Sequence, residues 1–390
     1  MRSIAKTIPR LSTLTLLSLA LALAGCGGGG SRGGSVASGS TVPASTAPAT
    51  TGATTSPTPT PVPTPAPSPA PTPAPGAKPL VIAGWLPYWS TVGTANVKQH
   101  VGKDLDEVNA FWYGCKADGT LTANRGARDT ALVAAVHNNK GLIVPTVFDV
   151  NDKTASQAVV ASPALRAKLQ TAILAEVDTY HYDGIDLDFE SLAAKNRDDF
   201  STFVTDLATA LHGRGKLLSI AVIGKVQDKP SWGAAAALDF AAIGKAVDRF
   251  KIMAYGVHGS FSGPGPIGPL DWSERVVTFA VKSVPKEKVY LGIPFFGYDW
   301  PAGGKASAVT WSSAQSRIAK STGGVTFSAK DGESTFTYVE AGVTHTVWFQ
   351  DARGLAAKAQ LAKRLGIAGT AAWAIGGEGA DFFPTLGANR

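Results

Sequence analysis

The chain has 390 residues and a formal net charge of +7, and 44% of its residues are hydrophobic. Residues 1–78 contain five basic residues and no acidic one, which leaves 31 basic against 29 acidic residues in the other 312. This near neutrality gives no electrostatic basis for a nucleic-acid partner, and 312 residues are enough for one large domain.

The first 25 residues have the pattern of an export signal. Three basic side chains precede an apolar run from Leu14 to Leu23, and small residues follow it. The run is too short for an ordinary membrane-spanning helix. Residues 23–26 resemble a bacterial lipobox, which implies that Cys26 is lipidated and begins the mature protein. The resemblance places the protein outside the cytoplasm, anchored to the bacterial cell envelope; an incidental or buried cysteine is the alternative.

Residues 26–78 are predicted to be a tether rather than a domain. Residues 27–78 hold 12 of the chain's 25 prolines among Gly, Ser, Thr and Ala, so they have too few apolar side chains to form a core. The proline-rich part, residues 57–75, favours an extended polyproline II conformation with a length of roughly 60 Å.

From residue 79 onward, strand and helix patterns alternate. The predicted strands are 80–85, 108–113, 142–148, 183–190, 217–223, 249–255, 289–296 and 367–375, and the predicted helices include 129–138, 163–180, 199–211 and 352–365. Eight apolar strands separated by helices predict an α/β fold, a (β/α)8 TIM barrel over residues 79–390. A predicted β-hairpin within 301–351 indicates a small α+β insertion between strand seven and helix seven. The insertion either lines one side of a groove or only adds stability.

The fourth predicted strand has alternating acidic and apolar residues. Side chains two apart share a face of a strand, so Asp186, Asp188 and Glu190 point one way and the apolar residues between them point the other. Cα atoms two apart on a strand lie about 6.7 Å from each other, so three carboxylates in a row repel, which raises the pKa of at least one and keeps a general acid protonated near neutral pH. A solvated edge strand and a calcium loop are the alternatives. The apolar opposite face and the lack of a turn glycine disfavour both.

Residues 183–190 resemble the D-G-x-D-x-D-x-E signature of glycoside hydrolase family 18. The resemblance implies that this stretch is the fourth barrel strand and that Glu190 is the catalytic acid. It also implies a retaining reaction in which the substrate's own 2-acetamido oxygen attacks C1. In that reaction Asp188 accepts the acetamide N–H and shares a proton with Asp186.

Two further strand ends resemble elements of the same family. Met253-Ala254-Tyr255 resembles an M-x-Y element, which implies that the Tyr255 hydroxyl donates a hydrogen bond to the acetamido oxygen and that Met253 lies in the substrate site. Gly256 stands where the family usually has a polar residue. Trp373 matches the tryptophan beneath the reacting sugar. Four more aromatic residues near strand ends are candidates for either a sugar-binding groove or ordinary packing: Trp85, Tyr88, Tyr298 and Trp300.

The third predicted strand lacks the S-x-G-G pattern that is common in the chitinases of this family. The chain is similar instead to the spore-cortex N-acetylglucosaminidase branch, over residues 263–272, 291–300 and 347–352. The resemblance implies a polysaccharide containing N-acetylglucosamine as partner, with peptidoglycan favoured over chitin. A chitinase or another endoglycosidase is the first alternative. A non-catalytic sugar-binding protein is the second, although such proteins typically lose the glutamate that is present here as Glu190.

The remaining polar residues imply no metal and no cofactor. The six histidines have no ligand spacing. If Cys26 is lipidated, Cys115 has no disulfide partner and is predicted to be a small buried side chain. A monomer is expected.

Overall fold

A computed structural model of the chain describes residues 78–150 and 152–390. The predicted export signal, Cys26 and residues 26–77 of the predicted tether lie outside the described residues. Within the described ranges, no helix is both long enough and apolar enough to cross a membrane.

The described residues form a closed parallel barrel, and a smaller antiparallel sheet is inserted in the chain before the last barrel strand. The strands of the barrel sheet are β1 (Val81–Pro87), β2 (Glu107–Cys115), β3 (Leu121–Ala123), β4 (Leu142–Ile143), β5 (Thr146–Phe148), β6 (Gly184–Asp188), β7 (Leu217–Ile223), β8 (Arg249–Met253), β9 (Val289–Pro294) and β15 (Gly369–Trp373). β1 pairs with β2 on one side and with β15 on the other, which closes the sheet. Going round from β1, the order is β15, β9, β8, β7, β6, β5 and β2, with β4 pairing with β2 and the short β3 antiparallel to it. The (β/α)8 prediction is confirmed.

Helices connect these strands. They are α1 (Gly93–His100), α2 (Thr130–Asn138), α3 (Ala155–Ala161), α4 (Pro163–Tyr180), α5 (Arg197–His212), α6 (Gly233–Ala236), α7 (Phe240–Ala246), α8 (Leu270–Ala280), α9 (Trp311–Ile318), α10 (Ala352–Leu365) and α11 (Phe382–Ala388). The predicted bounds of α4 and α10 agree with the structure because both helices have strong local end signals. The Ser162 hydroxyl accepts from Leu165 N–H before α4, and Asp351 accepts from Gly354 N–H before α10. Gly366 ends α10 with a φ of 67°.

The third barrel position contains two short strands, β4 and β5, instead of one continuous strand. The break falls at Val144 and Pro145. Proline has no N–H to donate to a sheet, although the Pro145 carbonyl still accepts from Asp186 N–H at 2.9 Å.

The acidic strand β6 is buried on both faces, as a parallel strand in a barrel must be. Its apolar side chains, Ile185 and Leu187, pack with Phe189 in the core between the barrel and the helices. Asp186 points the other way and hydrogen-bonds inside the barrel. The predicted division of the two faces is therefore confirmed, but the strand ends at Asp188, two residues earlier than expected.

A five-stranded antiparallel sheet lies between β9 and α10. Its order is β11-β10-β14-β13-β12, with α9 packed against it. The strands are β10 (Gly297–Pro301), β11 (Ser307–Val309), β12 (Thr326–Ser328), β13 (Glu333–Glu340) and β14 (Val343–Phe349). The predicted hairpin corresponds to β13 and β14. The predicted α+β insertion is present, and its sheet begins at Gly297.

Candidate active site

Asp186 lies inside the barrel and is fully buried. Its Oδ2 accepts from Trp85 Nε1 at 2.9 Å and from Thr146 Oγ1 at 3.0 Å. Its Oδ1 accepts from Ser219 Oγ at 2.5 Å and from Lys251 Nζ at 3.5 Å. Both oxygens act as acceptors, which suits a carboxylate. No hydrogen bond joins Asp186 to Asp188 in the described part of the chain, so their shared proton stays a prediction.

A buried ionic network lies next to Asp186. Lys251 Nζ is 2.6 Å from both Glu107 Oε1 and Asn109 Oδ1, and none of these three side chains is exposed. Burial raises the pKa of Glu107, but the charges of Lys251 and Arg249 outweigh it, so the pKa lies below its ordinary value. Lys251 is therefore a fixed cation that compensates Glu107 and also attracts Asp186.

Asp188 and Glu190 form the reactive end of the acidic stretch. Burial, then the negative charges of Glu190, Asp186 and Asp149, raises the pKa of Asp188 well above its ordinary value. Burial, and after it the charge of Asp149, raises the pKa of Glu190 to about 7. Asp188 Oδ1 is buried without a hydrogen-bond partner among the described residues. The site therefore combines a carboxyl group that holds a proton near neutral pH with an open acceptor beside it.

Tyr255 lies close to these carboxyl groups, just beyond the end of β8. Burial and the charges of Asp188 and Glu190 are the main causes that raise the pKa of Tyr255 well above its ordinary value, so its hydroxyl remains a donor. Met253 ends β8 and is partly exposed. Gly256 has a φ of 80°, and a Cβ at this position would meet no atom within 4 Å. The missing polar side chain leaves open space there.

Aromatic rings surround Trp373, which is partly exposed at the end of β15. Its ring centroid lies 5.2 Å from that of Phe111 and 6.2 Å from that of Trp89. Trp89 is 44% exposed and contacts Tyr88 edge to face at 4.8 Å. Phe148 stacks between Phe111 at 4.0 Å and Tyr88 at 6.2 Å. Phe111 and Phe148 are buried in this cluster, whereas Trp89 is exposed and Tyr88 and Trp373 are partly exposed, so these three rings are the ones that could pack on a sugar.

The structure revises two of the groove candidates. Trp85 is 1% exposed, and its indole N–H donates a hydrogen bond to Asp186. Trp300 is 5% exposed, and its indole N–H donates to the carbonyls of Gly259 and Ser262, which holds the loop after β8. Both rings are directed inward because a buried indole N–H needs an acceptor. Tyr298, on β10, is partly exposed beside Trp300 and remains a candidate for the sugar-binding groove. Tyr88 is also partly exposed and remains a candidate.

Sequence reasoning missed several polar partners of the acidic stretch. Glu107 and Asn109 are polar residues two apart in an otherwise apolar strand, which is a signal for two side chains on the inner face. Lys251 is a charged residue in the middle of β8 and gives the same signal. Asp149 accepts from the backbone N–H groups of Glu190 and Ser191, and no local pattern indicates this pairing.

Among residues 78–150 and 152–390, no group of three or more His, Cys, Asp or Glu side chains is placed to hold a metal ion. Cys115 is buried, as its sequence context predicted.

Residues 82–378, well over half of the chain, match the family model described as glycosyl hydrolases family 18. The chain belongs to this family of glycoside hydrolases. The matched range includes the strands of the closed barrel and the acidic stretch at the C-terminal end of β6.

Two curated relatives and one solved structure illustrate the similarity. A Bacillus subtilis protein named as the sporulation-specific glycosylase YdhD is 33% identical over 277 residues, which are 69% of this chain and 65% of YdhD. The cortical fragment-lytic enzyme of Bacillus anthracis is 27% identical over 289 residues, 72% of this chain and 67% of that enzyme. The chitinase of Chromobacterium violaceum superposes with a TM-score of 0.73 at 27% identity, covering 80% of this chain and 98% of the chitinase. The chain thus spans about two thirds of the length of the two curated relatives.

Proposed function

We propose that this chain hydrolyses β-1,4-linked N-acetylglucosamine glycosides with retention of configuration, using the substrate's acetamido oxygen as the nucleophile. One observation carries the proposal: Glu190, with its pKa raised to about 7, lies beside Asp188, which has an unpartnered buried oxygen. A carboxyl group with this pKa is protonated in a large fraction of molecules at neutral pH, as a general acid requires.

The roles of the side chains follow from their positions. Glu190 protonates the leaving oxygen and then, as a carboxylate, activates the water that completes hydrolysis. Asp188 Oδ1 accepts the acetamide N–H, because it is buried and has no other partner. The Tyr255 hydroxyl donates to the acetamido oxygen. Trp373 packs under the sugar whose bond is broken.

Asp186 and Lys251 support this arrangement without contacting the sugar. Four donors fix Asp186, so its negative charge stays next to Asp188. This fixed charge is one of the causes that raise the pKa of Asp188, after burial and the charge of Glu190. We infer that Asp188, which accepts the acetamide N–H, also opposes the positive charge that develops on the oxazolinium.

Peptidoglycan is the substrate that we propose first. The similarity to proteins named for sporulation and for cortical fragments supports it. The proposed lipid at Cys26 and the proposed tether also support it, since they would hold a catalytic domain of residues 79–390 next to the cell's own envelope. Chitin is the second candidate, supported by the 27% identity to a chitinase that matches over 98% of its length.

The test is a digestion of purified peptidoglycan and of chitin by the full chain, with products identified by mass. We expect muropeptides with N-acetylglucosamine at the reducing end. Rapid cleavage of chitin oligomers with no release from peptidoglycan would reverse the order of the two substrates. No cleavage of either polymer would contradict the hydrolase proposal and favour a sugar-binding role.

A further inference from the structure

The segment that follows β5 contains a carboxyl group that the catalytic roles above do not use. Asp149 is 1% exposed and lies in the stretch that lacks the S-x-G-G pattern. Its Oδ1 accepts from Glu190 N–H at 3.0 Å. Its Oδ2 accepts from Ser191 N–H at 3.0 Å and from Ser156 Oγ at 2.5 Å. Three donors on two oxygens suit a carboxylate.

These contacts explain why β6 ends at Asp188. In a longer strand, the N–H of Glu190 would donate to a neighbouring strand, but here it donates to the Asp149 side chain. The two hydrogen bonds from consecutive N–H groups fix the backbone on both sides of the Glu190 side chain. Ser156, in α3, and the backbone of β5 in turn fix Asp149. The direction of the Glu190 side chain therefore depends on a residue 41 positions earlier in the chain.

The charge of Asp149 also acts on the site. It is, after burial, the cause that raises the pKa of Glu190, and it contributes to the raised pKa of Asp188. Cys115 on β2 also faces this carboxyl group, and its pKa is raised by burial and then by the charges of Asp149, Asp152 and Asp118. No basic side chain is hydrogen-bonded to Asp149 among the described residues. Burial raises the pKa of Asp149, and the hydrogen bonds from Ser156, Glu190 and Ser191 oppose that rise by favouring the carboxylate.

We propose that Asp149 is a positioning residue for Glu190, which fixes the backbone of residues 190 and 191 and holds a second carboxyl group close enough to interact electrostatically with that of Glu190. This inference rests on the proposed function for the role of Glu190. This role gives a structural reason for the absence of the S-x-G-G pattern at the third barrel position. There, Thr146 bonds Asp186 and Asp149 bonds Glu190 and Ser191, so one short segment supports both ends of the acidic stretch.

The test compares Asp149→Asn with the wild-type full chain. Asparagine has nearly the same shape, but it has no charge and its NH2 group cannot accept the Ser191 N–H. We expect the Glu190 titration midpoint to fall from about 7 toward the ordinary 4.5. The basic limb of the activity profile should move to lower pH with it. We expect kcat to fall at least about tenfold with a smaller change in KM, since misplaced catalytic groups cost rate more than binding.

The titration is read directly from the ¹³C carboxyl resonances of labelled glutamate, with Glu190 assigned as the signal that is missing in Glu190→Gln. The matched control is Asp248→Asn. Asp248 also accepts a backbone N–H, from Leu218 at 2.8 Å, but it precedes β8 at the opposite end of the barrel. This control should leave both the Glu190 titration and kcat unchanged.

An unchanged Glu190 titration in folded Asp149→Asn would overturn the inference, whatever happens to kcat, because a purely structural role lowers rate without moving that titration. If Asp149→Asn does not fold, Asp149→Glu keeps the charge and should retain the raised midpoint with a lower kcat. Failure of both variants to fold would show that Asp149 serves folding, and the inference would be wrong. A wild-type chain that cleaves neither polymer would contradict the proposed function and leave the titration test intact.

Discussion

Replacing Glu190 with glutamine tests both the chemistry and the electrostatics of the site. Glutamine keeps the shape of the side chain but has no transferable proton. If Glu190 is the general acid, kcat should fall by about 10² to 10⁴, the usual contribution of such a group. Binding of a non-hydrolysed sugar ligand should persist, because Asp188, Tyr255 and Trp373 are unchanged.

The same substitution should stabilise the fold at alkaline pH. The pKa of Glu190 is about 7 in the folded chain against an ordinary 4.5, so the folded state holds this proton more tightly than the unfolded state. Below pH 4.5 Glu190 is protonated in both states and does not change the free energy of unfolding. Above pH 7 it is ionised in both states, and its burial then lowers the free energy of unfolding by the full amount. The difference corresponds to at most about 3 kcal/mol. Glutamine never ionises and avoids the penalty.

The assay is thermal unfolding of wild type and Glu190→Gln at pH 4.5 and pH 8, beside turnover of a chromogenic N-acetylglucosamine substrate. The two melting temperatures should nearly coincide at the lower pH, and the variant should melt several degrees higher at pH 8. Glu274→Gln is the matched control. Glu274 pairs with Arg364, which lowers the pKa of Glu274, so its substitution should neither abolish turnover nor raise the melting temperature at pH 8.

Two results would refute this reasoning. If Glu190→Gln kept more than about a third of the wild-type kcat, Glu190 would not be the general acid. If the difference in melting temperature between Glu190→Gln and wild type were the same at pH 4.5 and at pH 8, the Glu190 carboxyl group would not have a raised pKa.

Three further predictions concern other parts of the chain. Asp188→Asn should lower kcat on substrates with a 2-acetamido group, and a thiazoline analogue of the oxazolinium should inhibit the wild type competitively; insensitivity of an active enzyme to the analogue would indicate a protein nucleophile instead. Lys251→Met should reduce the free energy of unfolding by about 3 to 5 kcal/mol, because it removes the nearest cation of two buried carboxylates, Glu107 and Asp186, and leaves Glu107 with Arg249 alone at 3.4 Å. Urea unfolding measures this loss, and the double variant Lys251→Met/Glu107→Gln should recover part of it; no recovery would mean that packing, not charge, causes the loss. Cys26→Ser should release the protein from membranes in cell fractionation, since bacterial lipoproteins have several acyl chains and anchor firmly; a wild-type chain that fractionates as soluble after loss of residues 1–25 would contradict lipidation.

The sequence alone determined the fold class and the position of the acidic stretch. Strand and helix periodicity depends on near neighbours, so the alternation in residues 184–190 was sufficient to place Asp186 on one face and Ile185 and Leu187 on the other. The bounds of α4 and α10 were also predictable, since Ser162, Asp351 and Gly366 define helix ends through contacts within a few residues.

Only the tertiary structure decided which polar groups meet. Lys251 pairs with Glu107 across 144 positions, and Asp149 reaches Glu190 across 41. These pairings depend on the register of the closed barrel, which brings together strand ends that are distant in the sequence. An enclosed donor without a partner costs free energy, and the indole N–H groups of Trp85 and Trp300 have their acceptors inside the protein, away from the groove that the positions of these residues at strand ends had suggested.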